Sequence, residues 1–137
     1  MYNYGVYNKN VIDKNVGAKN VDVFSPYDGF INGTLFKPLY EPYKNYVPER
    51  ITGKNEKEKA MLSVMMYYAG LHDLTLYLDV HPEDKDALRL REEYFDKYQV
   101  SKKEYEKICS PYTWDANFPV NKGFTYAMTP FQWEVRK

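Results

Sequence analysis

The pattern of hydrophobic and polar positions changes twice along the chain and divides it into three parts. Residues 1–53 show no sustained helical or strand period, and three prolines within residues 38–48 disfavour regular helix or central strand. Residues 54–110 carry apolar residues at helical spacing, whereas residues 111–137 are aromatic and aperiodic. The pattern predicts a mainly α fold: a small helical hairpin or three-helix domain with extended, aromatic- and proline-rich N- and C-terminal arms.

A first helix is predicted from Asn55, because Asn55 followed three residues later by Glu58 is a helix-start signal. The predicted apolar stripe of this helix consists of Leu62, Met65, Ala69, His72, Leu76 and Asp79, and it is widened by Met61, Tyr68, Leu71, Leu74 and Leu78. Pro82 disfavours helical geometry at His81, so we expect the helix to end near Asp79. Asp79, His81 and Pro82 then form a structural turn in which the chain reverses, at residues 79–82.

The chain after this turn is predicted to form two more helices. Pro82 suits the first helical position of the second, and Glu83 and Asp84 suit its first turn. Ser101 and Glu104 have the spacing of a capping box, which predicts a short third helix. The first helix is apolar over more of its circumference than one antiparallel neighbour would cover, so an arm, the tail or a partner must cover the rest.

Both arms contain apolar residues that favour burial. In the N-terminal arm, Ser25, Pro26 and Gly33 predict a short helical turn, after which we expect an extended segment docked on a protein surface. A disordered tail is the alternative for this arm. Each buried large ring is worth roughly 2–3 kcal/mol, so the C-terminal tail should fold back or bind another protein. The predicted interaction residues are Leu35, Phe36, Tyr40, Tyr43, Trp114, Phe131 and Trp133.

Composition narrows the classes of partner. Nineteen basic and nineteen acidic residues cancel, so there is no electrostatic reason to expect nucleic acid or an anionic membrane as a partner. The zero net charge also lowers the barrier to self-association. The single cysteine, Cys109, excludes an internal disulfide framework. The longest apolar stretch is interrupted by His72 and Asp73, so we do not expect it to span a membrane.

Residues 71–88 hold both histidines and several acids, which raises the question of a metal or acid–base site. His72 and Asp79 lie on one helical face but roughly 10.5 Å apart along the axis. A transition metal requires ligand atoms within about 2.0–2.2 Å, so these two cannot share an ion. His81 and Asp84 could meet in the turn, but one histidine and one acid make a weak site.

We therefore expect no catalytic residues, no metal and no cofactor, with His72 as a partly buried polar group. The alternative is a metal-binding auxiliary or small enzyme that uses the acidic segment around His72 and His81.

The stretch LHDLTLYLDVHPEDKDAL, followed by Tyr94, Tyr98 and KKEYEK, resembles the spore-coat protein CotJB family of endospore-forming bacteria. In that family the third helix runs into a Tyr-Gly-Pro-Leu type sequence, where this chain has CSPYT. The arm FSPYDGFINGTLFKPLYEPY separately resembles the end of CotJA, a small companion coat protein. The chain thus looks like a CotJA-type arm joined to a CotJB domain.

The resemblance implies a structural component of the endospore coat and no enzymatic activity. It implies association with CotJC, a manganese-catalase-like coat protein, and with other coat subunits. The implied location is the spore coat, assembled from the mother-cell cytoplasm. No catalytic residue is carried over to this chain.

Overall fold

The fold is mainly helical, as predicted. A computed structural model describes residues 21–128 and residue 130. The helices are α1 (Pro26–Asn32), α2 (Glu56–Val80), α3 (Lys85–Ile108) and α4 (Thr125–Met128), with single 3-10 turns at Lys37–Leu39 and Val120–Lys122. Helices α2 and α3 form a hairpin, and α1 packs against α2. None of the helices in the described part of the chain combines the length and apolarity needed to cross a lipid bilayer.

Helix α2 begins where the sequence predicts. The Asn55 side-chain oxygen accepts a hydrogen bond from the Glu58 backbone N–H at 2.9 Å. The Glu58 carboxylate in turn accepts from the Lys54 N–H at 2.7 Å. The first bond satisfies a backbone donor that the first turn of the helix leaves without an intrahelical partner, and the second ties the residue before the cap to that turn.

The turn between α2 and α3 occupies residues 81–84 rather than 79–82, and the predicted helix start at Pro82 is wrong. Asp84 is the N-cap of α3, and its carboxylate accepts from the backbone N–H groups of Asp86 and Ala87 at 3.0 and 3.1 Å. Its other oxygen accepts from the Tyr77 hydroxyl at 2.7 Å. This aspartate therefore both starts α3 and ties it to the end of α2, whereas Pro82 supplies only a compatible φ.

The predicted third helix is also wrong, because α3 runs without a break from Lys85 to Ile108. Ser101 is buried inside α3 and lies four residues before Tyr105, which is buried on the same face. A capping box starts a helix only where the preceding residue leaves helical geometry. No glycine or proline near Ser101 breaks the helix, so the hydrogen-bonded ladder propagates through it.

The buried face of α2 coincides with the predicted apolar stripe only at Leu74. The residues of α2 that are buried are Val64, Gly70, Leu74 and Tyr77. Met65, His72, Leu76 and Asp79, from the predicted stripe, are exposed. Because α2 is apolar on nearly every side, a helical period alone could not select the side that faces α3.

Close contact between α2 and α3 depends on Gly70. Tyr94 of α3 is fully buried, and a Cβ atom at position 70 would overlap its ring. The absence of a side chain at Gly70 therefore makes room for the Tyr94 ring. Tyr67 of α2 packs edge-on against the same ring, with centroids 5.9 Å apart.

The N-terminal segment completes the core. Val21, Val23, Leu35 and Phe36 are buried in the same cluster as residues of both long helices. Its two limbs are held together by backbone hydrogen bonds from Phe24 N–H to the Leu35 carbonyl at 2.8 Å and from Lys37 N–H to the Asp22 carbonyl at 3.2 Å. Burial of each large apolar side chain stabilises the fold by roughly 1.5–3 kcal/mol.

The short helix within this segment has the predicted ends. The Ser25 hydroxyl accepts from the Asp28 backbone N–H at 3.1 Å, and Pro26 occupies the first helical position. Gly33 ends the helix with φ 79°, a left-handed conformation that favours glycine. This helix turns the chain back so that Leu35 and Phe36 meet Val23.

Asp73 links this segment to α2. Its carboxylate accepts a hydrogen bond from the Leu35 backbone N–H at 2.9 Å. Burial raises the pKa of Asp73, and the hydrogen bond from Leu35 opposes that rise only in part. The acid thus satisfies a buried backbone donor at the cost of holding its own charge in a poorly solvated place.

We predict that Gly70→Ala lowers the free energy of unfolding by about 1–3 kcal/mol, because the new methyl group collides with Tyr94. Helix propensity alone would favour alanine by about 1 kcal/mol, so the sign of the measured change in stability shows whether the collision or the propensity dominates. Urea denaturation measures the change. In a Tyr94→Leu background the methyl group has room, and the same substitution should become neutral or stabilising. An equal cost in both backgrounds would contradict the assignment.

We predict a pH-dependent gain in stability for Asp73→Asn. Because the pKa of Asp73 is raised by folding, the ionised carboxylate lowers stability as pH rises through the folded-state pKa. Asparagine keeps an acceptor for Leu35 without the charge. Its stability relative to the natural protein should therefore increase from acidic to neutral pH in urea denaturation.

Asp73→Ala is the control, because it removes the acceptor as well as the charge and should be less stable than Asp73→Asn by about 1–3 kcal/mol at every pH. A stability difference between the Asn variant and the natural protein that does not change with pH would refute the role given to the charge.

Candidate interaction surfaces

The two histidines and their neighbouring acids are not brought together into one site. His72 is exposed, so its predicted partial burial is wrong, and Asp73 is turned toward Leu35 on another side of α2. The His81 ring packs against Tyr77 with centroids 4.6 Å apart. Among residues 21–128, no group of three or more His, Cys, Asp or Glu side chains is arranged to hold a metal ion.

The acids near the turn have structural contacts instead. Asp84 caps α3 and accepts from Tyr77, while Asp79 lies near the end of α2 and is exposed. Burial and the adjacent Asp84 carboxylate raise the pKa of Tyr77, so its hydroxyl remains a donor to that carboxylate. These contacts stabilise the turn between α2 and α3.

Two of the predicted interaction residues are part of the core of the same chain. Leu35 and Phe36 are each 2% exposed, and the Phe36 ring stacks on Tyr77 with centroids 5.2 Å apart. Tyr40 is half-buried and lies edge-on to Phe24 at 5.7 Å. These side chains anchor the N-terminal segment to its own helices.

Beyond this anchor, the proline-rich segment presents aromatic residues to solvent. Tyr43 is 82% exposed. A turn around Asn45, closed by the bond from the Tyr46 N–H to the Tyr43 carbonyl at 3.1 Å, holds two tyrosines near each other. Tyr40, Tyr43 and Tyr46 line an open groove of about 710 Å³ beside the end of α1. Grooves lined by aromatic rings are typical of peptide-binding surfaces.

The first part of the C-terminal tail packs against α3. Tyr112 lies edge-on to Tyr105 at 6.0 Å, and its backbone N–H donates to the Glu106 carboxylate at 3.2 Å. Burial, together with the neighbouring Cys109 thiol, raises the pKa of Tyr105 to about 12. Trp114 follows and is 73% exposed. Phe131 and Trp133, also predicted to interact, lie outside the described residues.

A further apolar surface lies on α2, which we call the α2 outer face. It consists of Met65, Tyr68, His72, Leu76 and Val80, and all five side chains are exposed. The sequence indicated that α2 has more apolar circumference than one helix covers, but it did not indicate which side would remain exposed. The surplus of apolar residues was the signal for this surface.

Comparison with known proteins adds one match. No curated protein and no solved structure matches the chain. The family model described as CotJB protein matches residues 58–134, more than half of the chain, and this range includes most of α2 and all of α3. Residues 1–57, including the arm that resembles CotJA, lie outside the match. The chain therefore belongs to the CotJB family, which points to a component of the bacterial spore coat.

Proposed function

We propose that this protein is a structural, non-enzymatic component of the endospore coat that binds other coat subunits through its exposed aromatic residues. A manganese-catalase-like protein of the CotJC type is the proposed partner. The observation that carries this is the exposure of Tyr43 and Trp114, at 82% and 73%, a few residues beyond the packed side chains of Phe36 and Tyr112. Large exposed aromatic rings are typical of interface anchors.

The fold supports this role by fixing the segments before they meet a partner. Leu35 and Phe36 hold one end of the proline-rich segment in the core, and Tyr112 holds the start of the tail on α3. Prolines with preset φ further restrict the exposed segment. A binding segment that is already ordered loses less conformational entropy on association, which strengthens binding without added contact area.

We extend the proposal to the organisation of the chain. Residues 1–53 act as a CotJA-like arm, residues 54–110 as the CotJB-like helical domain and residues 111–137 as an aromatic tail. Phe131 and Trp133 in that tail are expected to contact a partner together with Trp114. The protein joins the coat from the mother-cell cytoplasm.

The alternative, a metal-binding auxiliary built on His72 and His81, has weaker support. Asp73 and Asp84 already have hydrogen-bond donors, and His72 is exposed. The partner-binding proposal uses surface that the fold leaves exposed, whereas a metal site would require these contacts to be broken.

We predict that Tyr43→Ala and Trp114→Ala each weaken binding to the catalase-like coat protein by roughly 30-fold, since a buried aromatic anchor carries about 2 kcal/mol. Binding is measured by calorimetry with the purified proteins. Phe95→Ala is the matched control, because Phe95 is an exposed ring, 43% accessible, that lies on α3 and belongs to neither segment. Circular dichroism verifies that the helices survive. Undiminished binding by both variants would refute the role of these residues.

A further inference from the structure

We propose that the α2 outer face binds the same face of a second copy of this chain, with the two α2 helices antiparallel. The contact is separate from the surfaces assigned above to coat partners. It would make the protein a two-fold symmetric dimer whose axis passes between Ala69 and His72.

The first observation is that the described chain covers this face only at its edges, where the Tyr68 ring lies 5.7 Å from the Tyr98 ring of α3 and His72 borders the cleft between α1 and α2. Helix α3 packs on the side of α2 that carries Leu74, and the N-terminal segment packs on the side of Asp73 and Tyr77. Met65, Tyr68, Leu76 and Val80 are left 42–59% exposed. A helix that is apolar all round is typical of a position in the middle of a bundle, with neighbours on more than two sides.

The second observation concerns charge. Between Lys59 and Asp79 the only charged side chain of α2 is Asp73, and it is turned toward Leu35. On the outer face the exposed Asp79 lies only at the C-terminal end, so the face offers little that would select a strongly charged partner. The whole chain has zero net charge, so two copies meet without long-range repulsion.

The third observation is the spacing of residues along the face. Met65 and Leu76 lie at equal distances from the midpoint between Ala69 and His72. An antiparallel pair centred there sets each Met65 against the second copy's Leu76. It also sets the small Ala69 against the larger His72, which lets the helices approach closely. These two pairings are self-complementary, as a two-fold interface requires.

The size of the face sets the strength of the contact. The exposed fractions of Met65, Tyr68, Leu76 and Val80 together equal about two whole side chains, roughly 400 Å² per copy. A standard stable interface buries about 800 Å² per partner, so this pairing belongs among the weak, reversible ones. The dimer should form in the micromolar range or above rather than at nanomolar concentration.

Sedimentation equilibrium over a range from low micromolar to near-millimolar protein tests the proposal. The mass should rise from 16.3 kDa toward twice that value. Leu76→Asp places a charge on the face and should weaken dimerisation at least tenfold. Leu88→Asp is the matched control, because Leu88 is 45% exposed on α3 and Leu76 is 46% exposed on α2. The control should dimerise like the natural protein.

A cross-linking experiment tests the antiparallel arrangement of the two α2 helices without introducing a charge. In a Cys109→Ser background, His72→Cys lies beside the proposed axis and should form a disulfide-linked dimer under mild oxidation. Glu92→Cys, on the exposed side of α3, should not. The proposal is overturned if the natural protein stays monomeric near millimolar concentration, if Leu88→Asp rather than Leu76→Asp abolishes the dimer, or if position 92 cross-links and position 72 does not.

Discussion

The structure depends on one constraint: α2 is apolar around most of its circumference and must be contacted from several sides. Helix α3 covers one side, and Gly70 allows the Tyr94 ring to lie directly against the α2 backbone. The N-terminal segment covers a second side through Leu35 and Phe36. The outer face is what remains after these contacts. Its exposure is the reason to treat this helical hairpin as a component of an assembly.

Local signals in the sequence correctly predicted those ends of helices at which a side chain bonds to a backbone group a few residues away in the chain. The caps at Ser25 and Asn55 and the left-handed Gly33 are cases in which three or four residues decide the outcome. The predicted start of α3 at Pro82 was wrong because Pro82 and Asp84 are both acceptable start signals. The hydrogen bond from the Tyr77 hydroxyl to Asp84 favours the later of the two. That bond joins two helices and cannot be seen in a local pattern.

The candidate surfaces were predictable only in part for the same reason. Aromatic content identified the segments that need burial, but it did not say which rings enter the core. Phe36 does so because α1 turns the chain back on itself, whereas Tyr43 lies past the last backbone contact of this segment with the core and remains exposed. The side of α2 that faces α3 was likewise decided by Gly70, whose significance appears only with Tyr94 in place. By contrast, the axial spacing of His72 and Asp79 was enough to argue against a shared metal ion.

The central claim is that the α2 outer face is an interface, and methionine oxidation tests it within one sample. Met65 lies on that face at 42% exposure, while Met128 in α4 is 71% exposed and serves as the internal reference. The rate at which dilute hydrogen peroxide oxidises each one is followed by mass spectrometry from low micromolar to near-millimolar protein. The account predicts that Met65 becomes several-fold slower relative to Met128 as concentration rises. A constant ratio of the two rates across the whole range would contradict it.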